Sequence, residues 1–215
     1  MVLDYLVLVP LSYLIGAMPW GYILVKVTKG VDVRNFGSGK TGMSNVLRTA
    51  GVKVALAVVT LDTSKGVLAV LLARLLTDSP VAEVVAGLVA VVGHNWPVFL
   101  GFKGGRGLTV AGGATIPIAP IPFLLGCVTF ITVTFATRYV SLASILTVIV
   151  AFVSLTIMAF TGRSEQTYFY YILFASLLVL WQHRDNMVRL AKGTERKLGQ
   201  RAEVLTAAGS KENGQ

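Results

Sequence analysis

Charge is scarce in this 215-residue chain. Asp, Glu, Lys and Arg make up 13% of it, roughly half the share, about a quarter, that a water-facing domain carries. Hydrophobic residues reach 54% and the mean hydropathy is +0.73. That balance excludes a soluble enzyme, a disordered chain and a disulfide scaffold, and it points to a membrane protein. Cysteine is nearly absent: Cys127 stands alone in an apolar run, so there is no internal disulfide to read and no indication of redox compartment. The two histidines, His94 and His183, lie far apart in sequence. No zinc or iron cluster is therefore expected, and no cofactor. The G-x-S-x-G elbow of serine hydrolases is missing as well.

What charge there is has mostly one sign, for a net of +9. Three polar segments hold it. Residues 26–53 carry +5, residues 102–109 carry +2 through Lys103 and Arg106, and the tail from His183 onward carries +3. Everything else nets −1. The positive-inside rule accounts for part of this clustering without invoking function, and it places all three segments at the cytoplasmic face.

About 20 apolar residues span the hydrocarbon as a helix. Residues 3–27 qualify, with Pro10 and Pro19 as candidate kinks. They lack the basic start and small-residue cleavage site of a signal peptide, so a retained helix with its N-terminus outside is expected. Residues 54–76 qualify if they tolerate Asp62 and Lys65. Further spans are read at 81–99, 139–160 and 168–182. The stretch 108–136 is too long for one straight helix and contains Pro117, Pro120 and Pro122. Splitting it at 119–122 gives seven spans and leaves every basic segment on one side. The expected fold is therefore an all-α polytopic membrane protein of about seven helices, some short or broken. Residues 1–200 form one membrane domain and 201–215 a disordered cytoplasmic tail.

The first loop is the densest chemical signal. Gly39-Lys40-Thr41 looks like the end of a P-loop, but the glycine required five positions earlier is Arg34. Gly37, Gly39 and Gly42 match the dinucleotide fingerprint in spacing, yet a membrane helix rather than a strand precedes them. The surviving reading is physical. Closely spaced glycines let backbone N–H groups converge on an anion, and Ser38, Lys40, Ser44, Asn45 and Arg48 add donors. A plain flexible turn is the competing account. In the second loop, Lys103 and Arg106 flank Gly104 and Gly105, which again suits a phosphate. His94, near a helix end, is either a polar cap or a catalytic group. Trp96 and Phe99 read as interfacial anchors. His183 and Asn186 are three apart and share a helical face, and residues 187–198 read as an amphipathic helix. Asp62 and Lys65 have the same spacing at membrane depth, where ionisable groups are expensive. A helix-locking pair is the leading account of them.

Taken together, the segments resemble the bacterial acyl-phosphate:glycerol-3-phosphate acyltransferases. That family's pattern G-S-G-N-x-G-A-T-N-x-x-R appears as GSGKTGMSNVLR (37–48). G-H-x-F-P-x-F-x-x-F-K-G-G-K-G-x-A-T appears as GHNWPVFLGFKGGRGLTV (93–110), and H-R-x-N-I-x-R-L-x-x-G-x-E-x-K as HRDNMVRLAKGTERK (183–197). DTSKG (62–66) matches D-x-x-K-G. Departures are Lys40 for Asn, Met43-Ser44 for Ala-Thr, Arg106 for Lys, and Thr109-Val110 for Ala-Thr. The resemblance implies transfer of a fatty acyl group from acyl phosphate to the 1-hydroxyl of glycerol 3-phosphate, in phospholipid biosynthesis. It implies catalytic roles for Ser38, Lys103, His183 and Asn186. Phosphate binding falls to Gly37, Gly39, Asn45, Arg48, Gly104, Gly105 and Arg106, with Asp62, Lys65 and His94 in support. The expected partners are the two substrates and membrane lipids, with no nucleic acid. A monomer in the bacterial cytoplasmic membrane is expected, its site facing the cytoplasm. The alternative is a transporter or binding protein for phosphorylated metabolites, for which basic loops beside broken helices are equally suited.

Overall fold

The computed structural model describes residues 2–200 together with Ala202 and Val204. Among them are ten α-helices: α1 (Val2–Ala17), α2 (Trp20–Lys29), α3 (Met43–Ala50), α4 (Val52–Leu76), α5 (Pro80–Asn95), α6 (Leu108–Ile118), α7 (Pro120–Thr137), α8 (Val140–Phe160), α9 (Tyr168–Gln182) and α10 (Arg184–Ala191). Five helical stretches are long and apolar enough to cross a membrane: Leu3–Lys29, Val52–Leu76, Pro80–Leu100, Pro120–Thr137 and Val140–Phe160. Leu108–Ile118 and Tyr168–Gln182 are shorter apolar helices.

Proline breaks the chain where local chemistry requires. Pro19 separates α1 from α2, whereas Pro10 sits inside α1 without interrupting it. Ala119 is extended and Pro120 opens α7, because a ring without N–H cannot continue the preceding helix. The 11 residues of α6 rise roughly 16 Å, well short of the roughly 30 Å hydrocarbon. The predicted split between 119 and 122 therefore occurs. The predicted helix over 187–198 is different: α10 begins at Arg184 and ends before Gly193, which takes a left-handed φ of 67° and turns the chain. Of the expected tail, 201, 203 and 205–215 lie outside the described residues. Val204 pairs with Phe36 in an isolated bridge.

Helix contact in lipid relies on close packing rather than on a hydrophobic drive, and small residues supply it here. A Cβ on Gly66 of α4 would strike the Val110 carbonyl of α6, and one on Gly113 of α6 would strike that of Thr63. The two backbones can meet only because neither position has a side chain. Asp62 and Lys65 lie on the buried face of α4. The Lys65 ammonium forms an ion pair with Asp62 at 2.7 Å and donates to the carbonyls of Gly16 (3.1 Å) and Met18 (2.8 Å). Those carbonyls are the ones a helix end leaves without an intrahelical partner, so the lysine repairs the break between α1 and α2. At the other end of the bundle, Arg74 donates twice to Glu83 (2.9 Å each) and once to the Pro117 carbonyl (2.8 Å). Tyr168 donates to the same carboxylate (3.0 Å). One clamp thus holds α4, α5, α6 and α9.

The helices enclose a cavity of about 460 Å³ with mostly apolar walls. Leu56 and Val59 of α4, Phe130 of α7, Val148 of α8 and Ile172 of α9 are among its lining, and its mouth is at the end where the basic segments meet.

Candidate active site

The first loop is organised by Asn45, buried at the start of α3. Its amide nitrogen donates to the carbonyls of Val33 (3.0 Å), Phe36 (2.9 Å) and Lys40 (2.9 Å), while its oxygen accepts from the Ser38 N–H (3.2 Å). The side chain expected to touch phosphate is therefore spent on holding the loop. Gly37 and Gly39 have φ values of 59° and 67°, which fold the loop tightly around that amide. The Gly39 N–H donates to the Phe36 carbonyl (3.0 Å), so it is not a free anion donor. Ser38 keeps its hydroxyl: Oγ is buried and has no hydrogen-bond partner among the described residues.

The second loop closes on the end of α5. Gly104 and Gly105 donate their N–H groups to the carbonyls of Asn95 (3.2 Å) and His94 (3.1 Å), which again removes them from the expected anion cradle. A Cβ on Gly105 would run into the His94 ring, so the glycine is there to let the imidazole pack. His94 is buried, and its Nδ1 accepts from Lys65 at 3.2 Å. It links α4 to this loop, and one part of it lines the cavity.

Lys103 and Arg106 part company. Left-handed turns at Gly101 (φ 59°) and Phe102 (φ 63°) swing Lys103 outward, where it is exposed and does not line the cavity. Arg106 is at the mouth, with a buried Nε that has no hydrogen-bond partner among the described residues. Burial, with help from Arg189 and Arg48, pushes its pKa down to about 10, leaving it charged at neutral pH. Of the pair Thr109-Val110, Thr109 faces the cavity and Val110 is fully buried in the α4–α5–α6 core. The threonine that lines the cavity is thus at the position next to the one the family pattern gives.

The third segment supplies a histidine of fixed tautomer. His183, buried at the junction of α9 and α10, approaches the Val179 carbonyl through Nδ1 at 2.8 Å. A carbonyl can only accept, so Nδ1 carries the proton and Nε2 keeps its lone pair. Burial, reinforced by Arg106, lowers its pKa to about 4; the ring is neutral at pH 7 and lines the cavity mouth. Asn186 donates to Glu195 Oε1 (2.9 Å), and Arg189 donates to the other oxygen (2.7 Å). Asn186 Oδ1 is buried with no hydrogen-bond partner among the described residues.

Glu195, Arg189, Arg196 and Ser141 are absent from the residues expected from sequence. Glu195 stands at the acidic position of the third pattern. Ser141, second in α8, has a buried Oγ without a hydrogen-bond partner among the described residues and belongs to no motif. Arg196 reaches the Gly37 carbonyl (3.5 Å), and its own carbonyl accepts from Arg48 (3.3 Å). These contacts bring the first and third segments together across 148 residues or more. Arg48 is half-buried, and burial lowers its pKa. Lys40 is half-buried at the mouth; burial, with the positive charges of Arg106 and Arg184, lowers its pKa too. Chemically, the arrangement is a set of fixed cations and neutral donors around one imidazole lone pair, opening onto an apolar cavity. No group of three metal-ligating side chains occurs among the described residues.

The profile of a family described as glycerol-3-phosphate acyltransferase matches residues 6–193. A glycerol-3-phosphate acyltransferase of Thermoanaerobacter pseudethanolicus is 44% identical over 194 residues, covering 90% of this chain and 96% of the relative. One from a Synechococcus species is 43% identical over 202 residues, covering 94% and 98%. Among solved structures, the integral membrane glycerol 3-phosphate acyltransferase PlsY in its glycerol 3-phosphate form superposes with a TM-score of 0.82. It is 36% identical and covers 90% of this chain and 95% of that one.

Proposed function

This chain belongs to the glycerol-3-phosphate acyltransferase family, and on that premise we propose that it acylates the 1-hydroxyl of sn-glycerol 3-phosphate from an acyl phosphate. The products are lysophosphatidic acid and inorganic phosphate. PlsY has been crystallised in glycerol 3-phosphate and lysophosphatidic acid forms, the acceptor and product of this reaction. The observation that carries the reading is the mouth of the cavity. Lys40 and Arg106, neither ion-paired to a carboxylate among the described residues, line the same mostly apolar cavity of about 460 Å³ as a neutral His183. A molecule with a phosphate head and a fatty tail matches both parts.

In the proposed reaction the hydroxyl oxygen attacks the acyl carbonyl carbon, a new ester bond forms, and the bond from that carbon to the phosphate oxygen breaks. The mixed anhydride is already activated, so positioning supplies much of the acceleration. His183 Nε2 accepts a hydrogen bond from the glycerol hydroxyl and so turns the hydroxyl oxygen's free lone pair toward the acyl carbonyl carbon. Ser38, with Asn186, donates or accepts at the polar head of the acceptor. Arg106 and Arg48 stabilise charge on the tetrahedral oxygen and on the departing phosphate, which takes the hydroxyl proton. Asn45 and the glycines 37, 39, 104 and 105 act as scaffolding, and Glu195 positions Asn186 and Arg189. Lys103, exposed on the rim, attracts anionic substrates at longer range. The basic segments share one end of the bundle, which supports a site facing the cytoplasm in a bacterial inner membrane.

The test is direct. Purified protein in micelles receives acyl phosphate and glycerol 3-phosphate, and phosphate release is followed. Release that depends on glycerol 3-phosphate and yields lysophosphatidic acid supports the reading. Release without acceptor dependence identifies a hydrolase, and no release overturns the acyl-phosphate donor reading.

A further inference from the structure

We propose that Arg138 is a positioning residue for the acyl transfer: it fastens a C-terminal strap whose two legs hold the Ser38 loop and Arg48. This inference rests on the roles given above to Ser38 and Arg48. It extends the machinery to a residue in none of the sequence patterns, and to a segment, 196–204, beyond the family match, which ends at residue 193.

After Glu195 the chain meets the first segment, turns, and comes back to it. At Arg196 the guanidinium donates to the Gly37 carbonyl (3.5 Å), and the main-chain carbonyl accepts from Arg48 (3.3 Å). The turn covers residues 197–200. The Lys197 N–H donates to the side-chain oxygen of Gln200 (2.8 Å), the Gln200 N–H donates to the Lys197 carbonyl (3.3 Å), and Gly199 takes a φ of 92°. On the way back, the Ala202 N–H donates to the Arg48 carbonyl (3.5 Å), and Val204 bridges with Phe36. Both legs therefore touch residues 36–48. Arg48 and Arg196 carry like charge, and what joins them is main chain.

The tip of the strap is fastened to the turn between α7 and α8. The Arg138 carbonyl accepts from the Leu198 N–H (2.6 Å), and its guanidinium donates to the Leu198 carbonyl (3.1 Å). The Lys197 ammonium lies 5.4 Å from the centre of the Tyr139 ring. Arg138 ends α7 in the left-handed region, with φ 63°, where glycine is the residue at least cost. An exposed arginine stands there instead. The one hydrogen bond its side chain makes among the described residues goes to the strap. The root of the strap is held separately, by Glu195 with Asn186 and Arg189. Freeing the tip thus leaves the third segment in place and loosens the hold on Gly37, Arg48 and the Ser38 between them in the loop.

Arg138→Gly keeps the left-handed turn and deletes the guanidinium, so it separates positioning from folding. Thermal stability in micelles should stay close to the parent's, since glycine's ease in the left-handed region offsets its looser unfolded chain. In the same preparation kcat/KM for glycerol 3-phosphate should fall about fivefold, as expected for loss of one positioning hydrogen bond. The KM for acyl phosphate should move by no more than about twofold, because none of the strap's described residues lines the apolar cavity. Without substrates, amide hydrogen exchange in peptides covering residues 36–48 should quicken at least about threefold. Unchanged kcat/KM in Arg138→Gly, or stability and activity falling together, overturns the proposal. So does unchanged exchange over 36–48, which needs no turnover to be read. A parent that does not pass an acyl group from acyl phosphate to glycerol 3-phosphate overturns the reaction reading instead, and the exchange rates then judge the strap by themselves.

Discussion

The Lys65 ammonium stands 3.2 Å from Nδ1 of His94, and through that contact the interior of the helix bundle reaches the second loop. Lysine donates, so Nδ1 is the unprotonated nitrogen and the proton of the neutral ring is on Nε2. Asp62, Gly16 and Met18 complete the lysine's surroundings. The ring in turn packs against Gly105, one residue before Arg106. A buried ion pair of this kind contributes little net stability when intact, but losing one partner strands a charge.

Lys65→Met should therefore destabilise the detergent-solubilised protein by roughly 3–5 kcal/mol, because Asp62 is left buried and unpaired. The double variant Asp62→Asn/Lys65→Met should recover much of that loss. Thermal inactivation curves for parent, single and double variants provide the comparison. A single variant as stable as the parent would show that Asp62 does not depend on Lys65.

Gly105→Ala should cut turnover by at least about tenfold, since displacement of catalytic groups by a fraction of an ångström is costly. The new methyl meets the imidazole of His94, and either the ring or the loop must move. Thermal stability and kcat measured on one preparation separate loop displacement from unfolding. Full activity with retained stability would contradict the tight packing.

Arg106 and Lys103 should differ sharply. Arg106→Ala removes a cavity-lining guanidinium and should lower kcat/KM by at least about a hundredfold. Lys103→Ala removes an exposed charge and should cost less than about tenfold, mostly as a salt-dependent rate. Measuring both at low and high ionic strength tests the assignment. Equal losses would place Lys103 in the site as well.

His183 should stay neutral far below the ordinary histidine range. Its pKa is lowered from 6.5 to about 4 by burial. An unfolded histidine takes up a proton near 6.5, so any stability due to this group is complete above that pH and declines as pH falls toward 4. With only two histidines in the chain, selective isotope labelling in micelles, with assignment by a His94 variant, can follow the ring directly. Titration of His183 near 6.5 would refute the buried neutral form.

Gly112 should set how much tail the cavity accepts. It lines the cavity, and a Cβ there would meet only the Phe123 ring, at 3.6 Å. Gly112→Leu fills free space rather than displacing backbone. Activity on long acyl phosphates should fall by at least about tenfold relative to short ones, since each lost buried methylene costs about 0.8 kcal/mol. A chain-length profile identical to the parent's would place the tail elsewhere.

Much of this protein was legible in the sequence. The scarcity of charge set the membrane class, because hydropathy acts along one helix at a time. The break at Ala119–Pro120 was legible because proline's missing N–H is a local fact. The convergence of three basic segments followed from their placement between apolar spans. Which donors remained free was a different kind of question. Gly39, Gly104 and Gly105 looked like an anion cradle, and Asn45 like a phosphate ligand, yet their hydrogen bonds go to protein carbonyls. Lys103 and Arg106, three residues apart, ended on opposite sides of a turn. The reason is physical. A donor's partner is chosen by competition among all groups brought near it, including carbonyls from distant segments, and only the tertiary structure decides that competition.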